Sequence, residues 1–375
     1  MNDTVRHNTL AQLLKRAPAF AALLVIAGTV LLAILAYALA PDHSPDANRM
    51  LVELGARKPG YTKQLLLLPA TLAPAPVSGL HRFFSGAPDR YRYLPVNGYA
   101  FQGDKLIVRH YIDEGLEDTI SYNTSDLVPA ALRSSGAEAR KDFIVAQRLQ
   151  QHRFLLGTDR YGRDILSRLL IGSRVSIAVG LVAVILSLSI GVFLGALAGY
   201  FGGRVDAVIQ FIINMFWSIP TLLLVFAITL TVGKGFWEIF VAIGLTMWVG
   251  AARLIRGQVL VLREMEFITA ARASGAGDLR IIFRHILPNI AGPLMVIAAS
   301  NFAAAILIEA GLSFLGIGIQ PPQPSWGLMI KEHYNFLITN QPLAAIIPGL
   351  AIMMLVYAFN ILGNALRDIL DVREQ

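Results

Sequence analysis

The stretch EFITAARASGAGDLRIIFRHILP, residues 266–288, lies between two long apolar segments of a 375-residue chain. Its first half is rich in helix-forming residues, and Gly275 stands where a glycine commonly ends a helix. Asp278 is expected to cap a second helix of sequence LRIIFRHIL, which Pro288 is expected to end. The 266–288 segment is therefore predicted to be a helix–turn–helix that is too polar to cross a membrane.

The second helix predicted in this segment has two chemically different faces. Leu279, the pair Ile282/Phe283 and Ile286 form an apolar stripe, while Arg280 and Arg284 lie one turn apart on another face. A pair of amphipathic helices resting on lipid headgroups would have this pattern. A docking element that places an apolar and basic helix in the groove of a partner protein would have it too. The residues alone leave both interpretations open.

The composition indicates a membrane protein. Hydrophobic residues make up 55% of the chain and charged residues 15%, whereas soluble domains average about 45–50% and about 25%. The chain has no cysteine, which excludes disulfides and thiolate metal sites. Because basic residues commonly flank membrane helices, the net charge of +7 favours a lipid membrane as partner and does not indicate nucleic acid.

Six apolar runs have the length of a membrane-spanning helix. The first, residues 17–40, exceeds the roughly 7–15 apolar residues of a cleaved signal peptide, so we interpret it as a retained helix. The others lie at about residues 175–201, 207–232, 237–254, 292–317 and 343–364. With residues 1–16 in the cytoplasm, six crossings return the C-terminus there. The arginines fall mainly in connections predicted to lie inside, which agrees with this topology.

Residues 41–157 are predicted to form a separate insertion on the outer side of the membrane. Proline, glycine and charged residues return here, and no run is long enough to span. Residues 99–112 alternate in polarity around a turn at Gln102–Asp104, which predicts a β-hairpin among a few strands. The predicted order is thus an N-terminal tail (1–16), a first helix (17–40), the insertion (41–157) and a membrane domain (158–375) whose cytoplasmic loop covers 257–290.

Motifs for catalysis and nucleotide binding are missing from the sequence. There is no G-x-x-x-x-G-K-[ST] loop, no H-E-x-x-H and no G-x-S-x-G. The seven histidines have no metal-ligand spacing. We therefore expect neither an enzyme nor a cofactor on this chain, and any ATP that drives it would be bound by another subunit.

Small residues and prolines mark the interiors of several predicted spans. Gly191, Gly195 and Gly199 recur every four residues on one helix face, which allows another helix backbone to approach closely. Pro220 and Pro348 each remove a backbone hydrogen bond within a span. Such kinks suit a moving gate, although prolines also occur in membrane helices for packing alone.

Glu309 is the one acidic residue well inside a predicted span. Ionisable groups at membrane depth often bind ions or carry protons, so an ion-coupled carrier is one interpretation. The other is a hydrogen-bonded structural glutamate near a helix break, since Gly311, Gly316 and Gly318 follow closely. The structural interpretation is favoured because proton-coupled carriers usually contain several buried ionisable groups.

The 266–288 segment resembles the EAA loop of ABC importer permeases, in which glutamate-alanine-alanine is followed by glycine and then leucine-proline. Matching positions are Ala270, Ala271, Gly275, Leu287 and Pro288, whereas Thr269 stands where the family usually has glutamate. From Gly157 onward the chain resembles the inner-membrane permeases of oligopeptide, dipeptide and nickel ABC importers. The motifs that carry this resemblance are LGTDRYGRDILSRLLIGSRVSIAVG, AGYFGGRVD, IPTLLL, AARASGAGDLRIIFRHILPN, EAGLSFLGIGIQPPQPSWG and ALRDILD. The long insertion is similar to that of a subgroup which includes importers of peptide antibiotics.

This resemblance implies an all-α type I importer permease in the bacterial inner membrane, with a small mixed or β-containing periplasmic insertion after helix 1. The implied partners are a second homologous permease, two ATP-binding cassette subunits that hold ATP and Mg, and a periplasmic peptide-binding protein. The implied coupling residues are Glu266, Thr269, Ala270, Ala271, Gly275, Asp278, Arg280, Arg284 and Pro288. We expect Ile268, Leu279 and Ile282 to fill the groove of an ATP-binding subunit. The rival hypothesis is an ion-coupled secondary carrier that uses Glu309.

Overall fold

The computed structural model describes residues 11–70, 75, 77–233, 235–338 and 341–371. Most of the N-terminal tail predicted at 1–16 lies outside these residues. The chain divides into two compact units. A bundle unit comprises Met1–Leu31, Ser173–Lys331 and Pro348–Gln375, and a sheet unit comprises Leu32–Gly172 and Glu332–Ile347. The domain boundaries drawn from the sequence stay predictions.

The first long helix, α1 (Ala17–Ile34), is followed by the short helix α2 (Ala36–Leu39). Five strands come next along the chain: β1 (Tyr61–Pro69), β2 (Tyr91–Gln102), β3 (Lys105–Asp113), β4 (Leu116–Asn123) and β5 (Leu149–Phe154). The short helices among them are α3 (Gly79–Ser85), α4 (Thr124–Leu127) and α5 (Ala137–Phe143). Single turns of 3₁₀-helix cover Pro45–Ala47, Val52–Leu54 and Ala130–Leu132, and a π-turn covers Ile144–Arg148.

The strands form one antiparallel sheet in the order β4-β3-β2-β1-β5. The predicted hairpin is confirmed, because Gln102 pairs with Lys105 across the tight turn at Gly103 and Asp104. In the interior strand β1, Leu65, Leu66 and Leu67 are all buried, although neighbouring side chains of a strand point to opposite faces. The sheet therefore has an apolar core on both faces, and its five strands exceed the few that the sequence indicated.

The remaining helices are mostly long and apolar. They are α6 (Ile165–Phe201), α7 (Gly203–Trp217), α8 (Thr221–Val232), α9 (Phe236–Arg263), α10 (Glu266–Ala273), α11 (Asp278–Ile281), α12 (Leu287–Asn289), α13 (Ala291–Leu315), α14 (Trp326–His333) and α15 (Leu343–Asp371). A π-turn covers Ile282–Ile286, and a 3₁₀ turn covers Tyr334–Leu337. In the described part of the chain, five helices are long and apolar enough to cross a membrane: α1, α6, α9, α13 and α15.

The apolar run predicted as a single span at 207–232 is broken into two helices. α7 and α8 meet at 89° and count as a sixth crossing only if the bent pair forms one span. Pro220 stands at the N-cap of α8. Its ring disfavours helical geometry at the preceding Ile219, and it has no N–H to donate into the preceding turn. Pro348, in contrast, lies inside the continuous helix α15, as predicted.

Candidate functional site

The turn of the 266–288 segment has the geometry that the sequence predicts. α10 ends at Ala273, and Gly275 follows with a φ of +80°. The N–H of Ala276 donates to the carbonyl of Ala271 at 3.1 Å, and the N–H of Gly275 donates to that of Arg272 at 3.0 Å. These two hydrogen bonds form a Schellman motif, in which glycine is preferred because it has no Cβ to clash. Gly275 is therefore confirmed as the residue that stops α10.

Asp278 does not cap the second helix, contrary to the prediction. Gly277 occupies the N-cap position, and no side chain caps this end. Asp278 is instead the first residue of α11, and its Oδ1 accepts a hydrogen bond from the hydroxyl of Tyr200 at 2.7 Å. This bond fastens the start of α11 to the end of α6.

The prediction that Pro288 ends the second helix is wrong. The helical path continues from α11 through the π-turn to α12, and Pro288 lies inside α12. Proline cannot donate to the carbonyl four residues earlier, and its ring crowds that carbonyl. The wider π-turn immediately before it, closed by the N–H of Leu287 on the carbonyl of Ile282, makes room for the ring.

The apolar stripe of the second helix is divided between two surfaces. Ile282 and Ile286 are buried in the bundle unit's own core, together with Ile268 of α10. Leu279 and Phe283 are each 66% exposed. The expectation that Ile268 and Ile282 fill a partner's groove is therefore wrong, because both are already covered by this chain. The large apolar side chains of the second helix that stay exposed are Leu279 and Phe283, and Phe267 of α10 is 43% exposed.

The remaining predicted coupling residues lie along the same segment as these two exposed side chains. Those that are exposed are Glu266, Thr269, Ala270, Gly275, Asp278, Arg280 and Arg284, while Ala271 and Pro288 are half-buried. Most of the predicted set is therefore accessible on a segment whose opposite side is held in the core, and its coupling role stays a prediction. Thr269 lies one turn from Glu266 on α10, so an acidic group stands close to the position where the EAA pattern has its glutamate.

The glycine stripe of α6 packs against α9 within the bundle unit. A Cβ added at Gly195 would lie 2.5 Å from the carbonyl oxygen of Ala252, and one added at Gly199 would lie 2.8 Å from that of Arg256. At Gly191 the neighbour would be the Cβ of Ala251, at 2.6 Å. These approaches are too short for any side chain, so the stripe sets the distance between α6 and α9.

Glu309 is fully buried in α13 and has a structural hydrogen bond. Its Oε1 accepts from the hydroxyl of Ser313 at 2.6 Å, and the Oγ of Ser313 accepts from the N–H of Ile319 at 3.0 Å. Gly316, between them, ends α13 in the left-handed conformation. Glu309 therefore helps to hold the turn that follows α13, which is the structural interpretation favoured from the sequence.

A cavity of about 360 Å³ lies beside the bend between α7 and α8. Its lining includes Trp217 of α7, Thr221 of α8, Gly250 of α9 and Asn301 of α13, and Pro220 lies at the bend itself. Sequence reasoning missed this cavity because every span is apolar nearly all round. Pro220 was the only signal that pointed to its position.

A buried ionic cluster in the sheet unit was also missed. The guanidinium of Arg163 donates to Asp159 at 2.6 Å and to Glu332 at 2.9 Å, and Arg168 donates to the same Glu332 oxygen at 3.0 Å. His333 is fully buried beside Asp159. Asp159, Glu332 and His333 are close enough to share a metal ion. The residues do not fit one, because two arginine cations already neutralise both carboxylates and would repel a further cation.

Comparisons with known proteins show which family the chain resembles. Residues 191–374 match the family model described as binding-protein-dependent transport system inner membrane component. The chain is 43% identical over 216 residues to the glutathione transport system permease protein GsiD of Pectobacterium atrosepticum, covering 58% of this chain and 71% of that protein. It is 41% identical over 243 residues to the dipeptide transport system permease protein DppC of Alkalihalophilus pseudofirmus, covering 65% and 79%.

Two further similarities involve a nickel permease and a solved transporter. Identity to the nickel transport system permease protein NikC of Escherichia coli K12 is 41% over 216 residues, covering 58% of this chain and 78% of that protein. An inward-facing structure of the MetNI methionine ABC transporter has 21% sequence identity and a TM-score of 0.42, covering 55% of this chain and 95% of that chain.

Proposed function

The chain belongs to the family of binding-protein-dependent transport system inner membrane components, and we propose that it forms half of the translocation pathway of an ATP-driven importer of peptides or peptide-like compounds. Its relatives include permeases of glutathione, dipeptide and nickel transport systems. A second homologous permease would supply the other half of the pathway. The bacterial inner membrane is the proposed location, with both termini in the cytoplasm and the sheet unit in the periplasm.

The observation that carries this proposal is the two-sided construction of the 266–288 segment. Ile268, Ile281 and Ile286 are fully buried on one side, which fixes the segment to the helices behind it. Leu279 and Phe283 are exposed on the other. Two exposed apolar side chains one helical turn apart, flanked by Arg280 and Arg284, have the apolar centre and charged rim that are common at protein–protein interfaces.

We infer that the partner is an ATP-binding cassette subunit, one of two that hold ATP and Mg. Leu279 and Phe283 would enter its groove, and Arg280 and Arg284 would form charge pairs at the rim. Movement of that subunit would pass to α6 through Tyr200 and Asp278, and to α9 through the buried isoleucines. A periplasmic peptide-binding protein would deliver the cargo.

A purification of this chain from membranes tests the proposal. We expect ATP-binding subunits and a second permease to accompany it, and the reconstituted complex to take up peptides only when ATP and the binding protein are present. Uptake driven by an ion gradient in the absence of ATP would instead support the ion-coupled carrier. Neither the hydrogen bond of Glu309 to Ser313 nor the similarity to importer permeases favours that alternative.

A further inference from the structure

Arg253 differs from the other two arginines of α9 in its partners. Arg256 forms a two-pronged ion pair with Asp206, at 2.5 and 2.6 Å, and Arg263 pairs with Glu264 at 2.8 Å. Arg253 donates from Nη2 to the neutral side chain of Asn214 at 3.3 Å. Over the described ranges of the chain, no carboxylate pairs with Arg253, so its positive charge has no counter-ion among those residues.

The position of Arg253 is set by Trp217. The guanidinium carbon lies 3.9 Å from the centre of the indole ring, a distance typical of a cation–π contact. Trp217 lines the cavity at the bend, and so does Gly250, which precedes Arg253 by one helical turn on α9. The cation therefore adjoins two residues of the cavity lining without lining the cavity itself, and it contacts the ring of Trp217 and the side-chain amide of Asn214.

The guanidinium keeps most of its hydrogen-bonding capacity in this arrangement. Arginine has five N–H donors in a flat fork that matches a carboxylate, and only one donor is used by Asn214. A charge without a counter-ion beside a largely apolar cavity costs free energy unless an anionic ligand joins it. The cavity volume of about 360 Å³ is sufficient for a small ligand.

We propose that Arg253 receives the terminal carboxylate of the cargo as a peptide passes the cavity, and so favours peptides with a free C-terminus. This inference rests on the proposed function. The phosphate of a lipid headgroup has the same anionic oxygen chemistry and is the competing source, so the experiment must separate the two.

Tryptophan emission offers a direct test, because Trp217 contacts the guanidinium. The probes are trialanine and trialanine amide, titrated into the purified complex of this chain with its partner subunits, without binding protein. We expect trialanine to change the emission with roughly 10-fold higher affinity than the amide. Arg253→Gln should remove this preference, Arg253→Lys should retain part of it, and Trp217→Phe should remove the signal. The control Arg204→Gln, an exposed charge on α7, should leave the preference unchanged.

Equal affinities for the two peptides in the unmodified complex, or no response to either, would overturn the inference. The inference would also be overturned if the tryptophan emission of the complex, reconstituted in vesicles, responds to phosphatidylglycerol and not to trialanine. Arg253 would then bind lipid headgroups. ATP-dependent uptake of trialanine is measured in parallel. If the complex imports trialanine but the Trp217 emission shows no preference for trialanine over its amide, this inference is wrong and the proposed function still stands. If the complex imports no peptide, the proposed function is wrong.

Discussion

The hydroxyl of Tyr200 donates a hydrogen bond of 2.7 Å to the carboxylate of Asp278. Tyr200 is the penultimate residue of α6, and Asp278 is the first residue of α11. This bond is one of the contacts that join a long apolar helix to the segment proposed to contact the ATP-binding subunit, and the shared apolar core of that helix and the segment is another.

Tyr200→Phe should weaken the link between ATP hydrolysis and transport. The change removes one hydrogen bond to a charged group, worth about 1.5–3 kcal/mol, while the ring remains in place. We expect the complex to assemble normally and to hydrolyse ATP with less stimulation by the loaded binding protein. The measurement is the ratio of stimulated to basal ATPase, with Tyr99→Phe in β2 as the control. A ratio equal to that of the control would show that the bond does not transmit movement.

Leu279→Asp should detach the ATP-binding subunits. Leu279 is 66% exposed in the single chain, and burying such a side chain contributes about 1.5–3 kcal/mol. We expect about 10-fold or greater loss of ATP-binding subunits on purification. Leu80→Asp is a matched control, since Leu80 is 75% exposed on α3 of the sheet unit. Full retention of the subunits by the Leu279 variant would contradict the docking role.

Gly195→Ala should destabilise the bundle unit although alanine favours helix. The new methyl group would lie 2.5 Å from the carbonyl oxygen of Ala252, so α6 and α9 would have to separate. Overpacking of this kind costs about 1–3 kcal/mol. Gly257→Ala on α9 is the control, because nothing lies within 4 Å of its added Cβ. Thermal unfolding in detergent should show a lower Tm for the Gly195 variant alone, and equal midpoints would refute the contact.

Glu332→Gln should destabilise the sheet unit by about 3–5 kcal/mol, because it leaves two buried guanidinium groups without their shared carboxylate. Both Arg163 and Arg168 donate to the Oε2 of Glu332. The exposed pair of Lys141 with Glu138 offers the control Glu138→Gln, for which we expect less than about 1 kcal/mol. Limited proteolysis of the sheet unit measures the difference, and similar cleavage rates for both variants would contradict the prediction.

Acid should destabilise the sheet unit through His333. Burial lowers the pKa of His333, and Arg168 and Arg163 act in the same direction against the opposing effects of Asp159 and Glu332. The unfolded chain, with a histidine pKa of about 6.5, therefore binds a proton before the folded one does. The contribution of His333 to the free energy of unfolding is therefore fully present above about pH 6.5. It is lost as the pH falls from there towards the pKa of His333 in the folded state, which is lower. As the pH falls from 7.5 to 5.5, the rate of proteolysis of the sheet unit should rise less steeply in the His333→Gln variant than in the unmodified protein. Identical slopes in the two proteins would show that another group titrates.

Local patterns in the sequence predicted local structure well. The Gly103 hairpin, the stop of α10 at Gly275 and the close packing at Gly195 depend on neighbouring residues or on one helix face. Each follows from the steric freedom or small size of glycine.

Predictions that depended on which part of the chain packs against each face of a helix were less accurate. Ile268 and Leu279 are equally apolar in the sequence, yet one is buried in the core and the other is exposed. Pro220 broke a span that apolar length alone made continuous, whereas Pro348 did not break α15. A proline shows where a backbone hydrogen bond is lost, but the surrounding packing decides how far the chain turns.

The ionic cluster was outside the reach of sequence patterns for a different reason. Its members are hydrophilic residues in two segments, and only the folded chain shows that they meet. The motif TDRYGRD contains Asp159 and Arg163 but not their partner, because Glu332 lies in α14, far along the chain.

The separation of these partners has a consequence for biosynthesis. Glu332 lies 164 residues after Arg168. At about 5–20 residues per second, a ribosome needs roughly 10–30 s to reach it. During that interval two arginines, destined for the interior, have no Glu332 to neutralise them, and the strands of the sheet have already been made. The sheet unit therefore cannot complete its folding until the ribosome has synthesised Glu332. A chain truncated before Glu332 should be a preferred target for quality-control proteases.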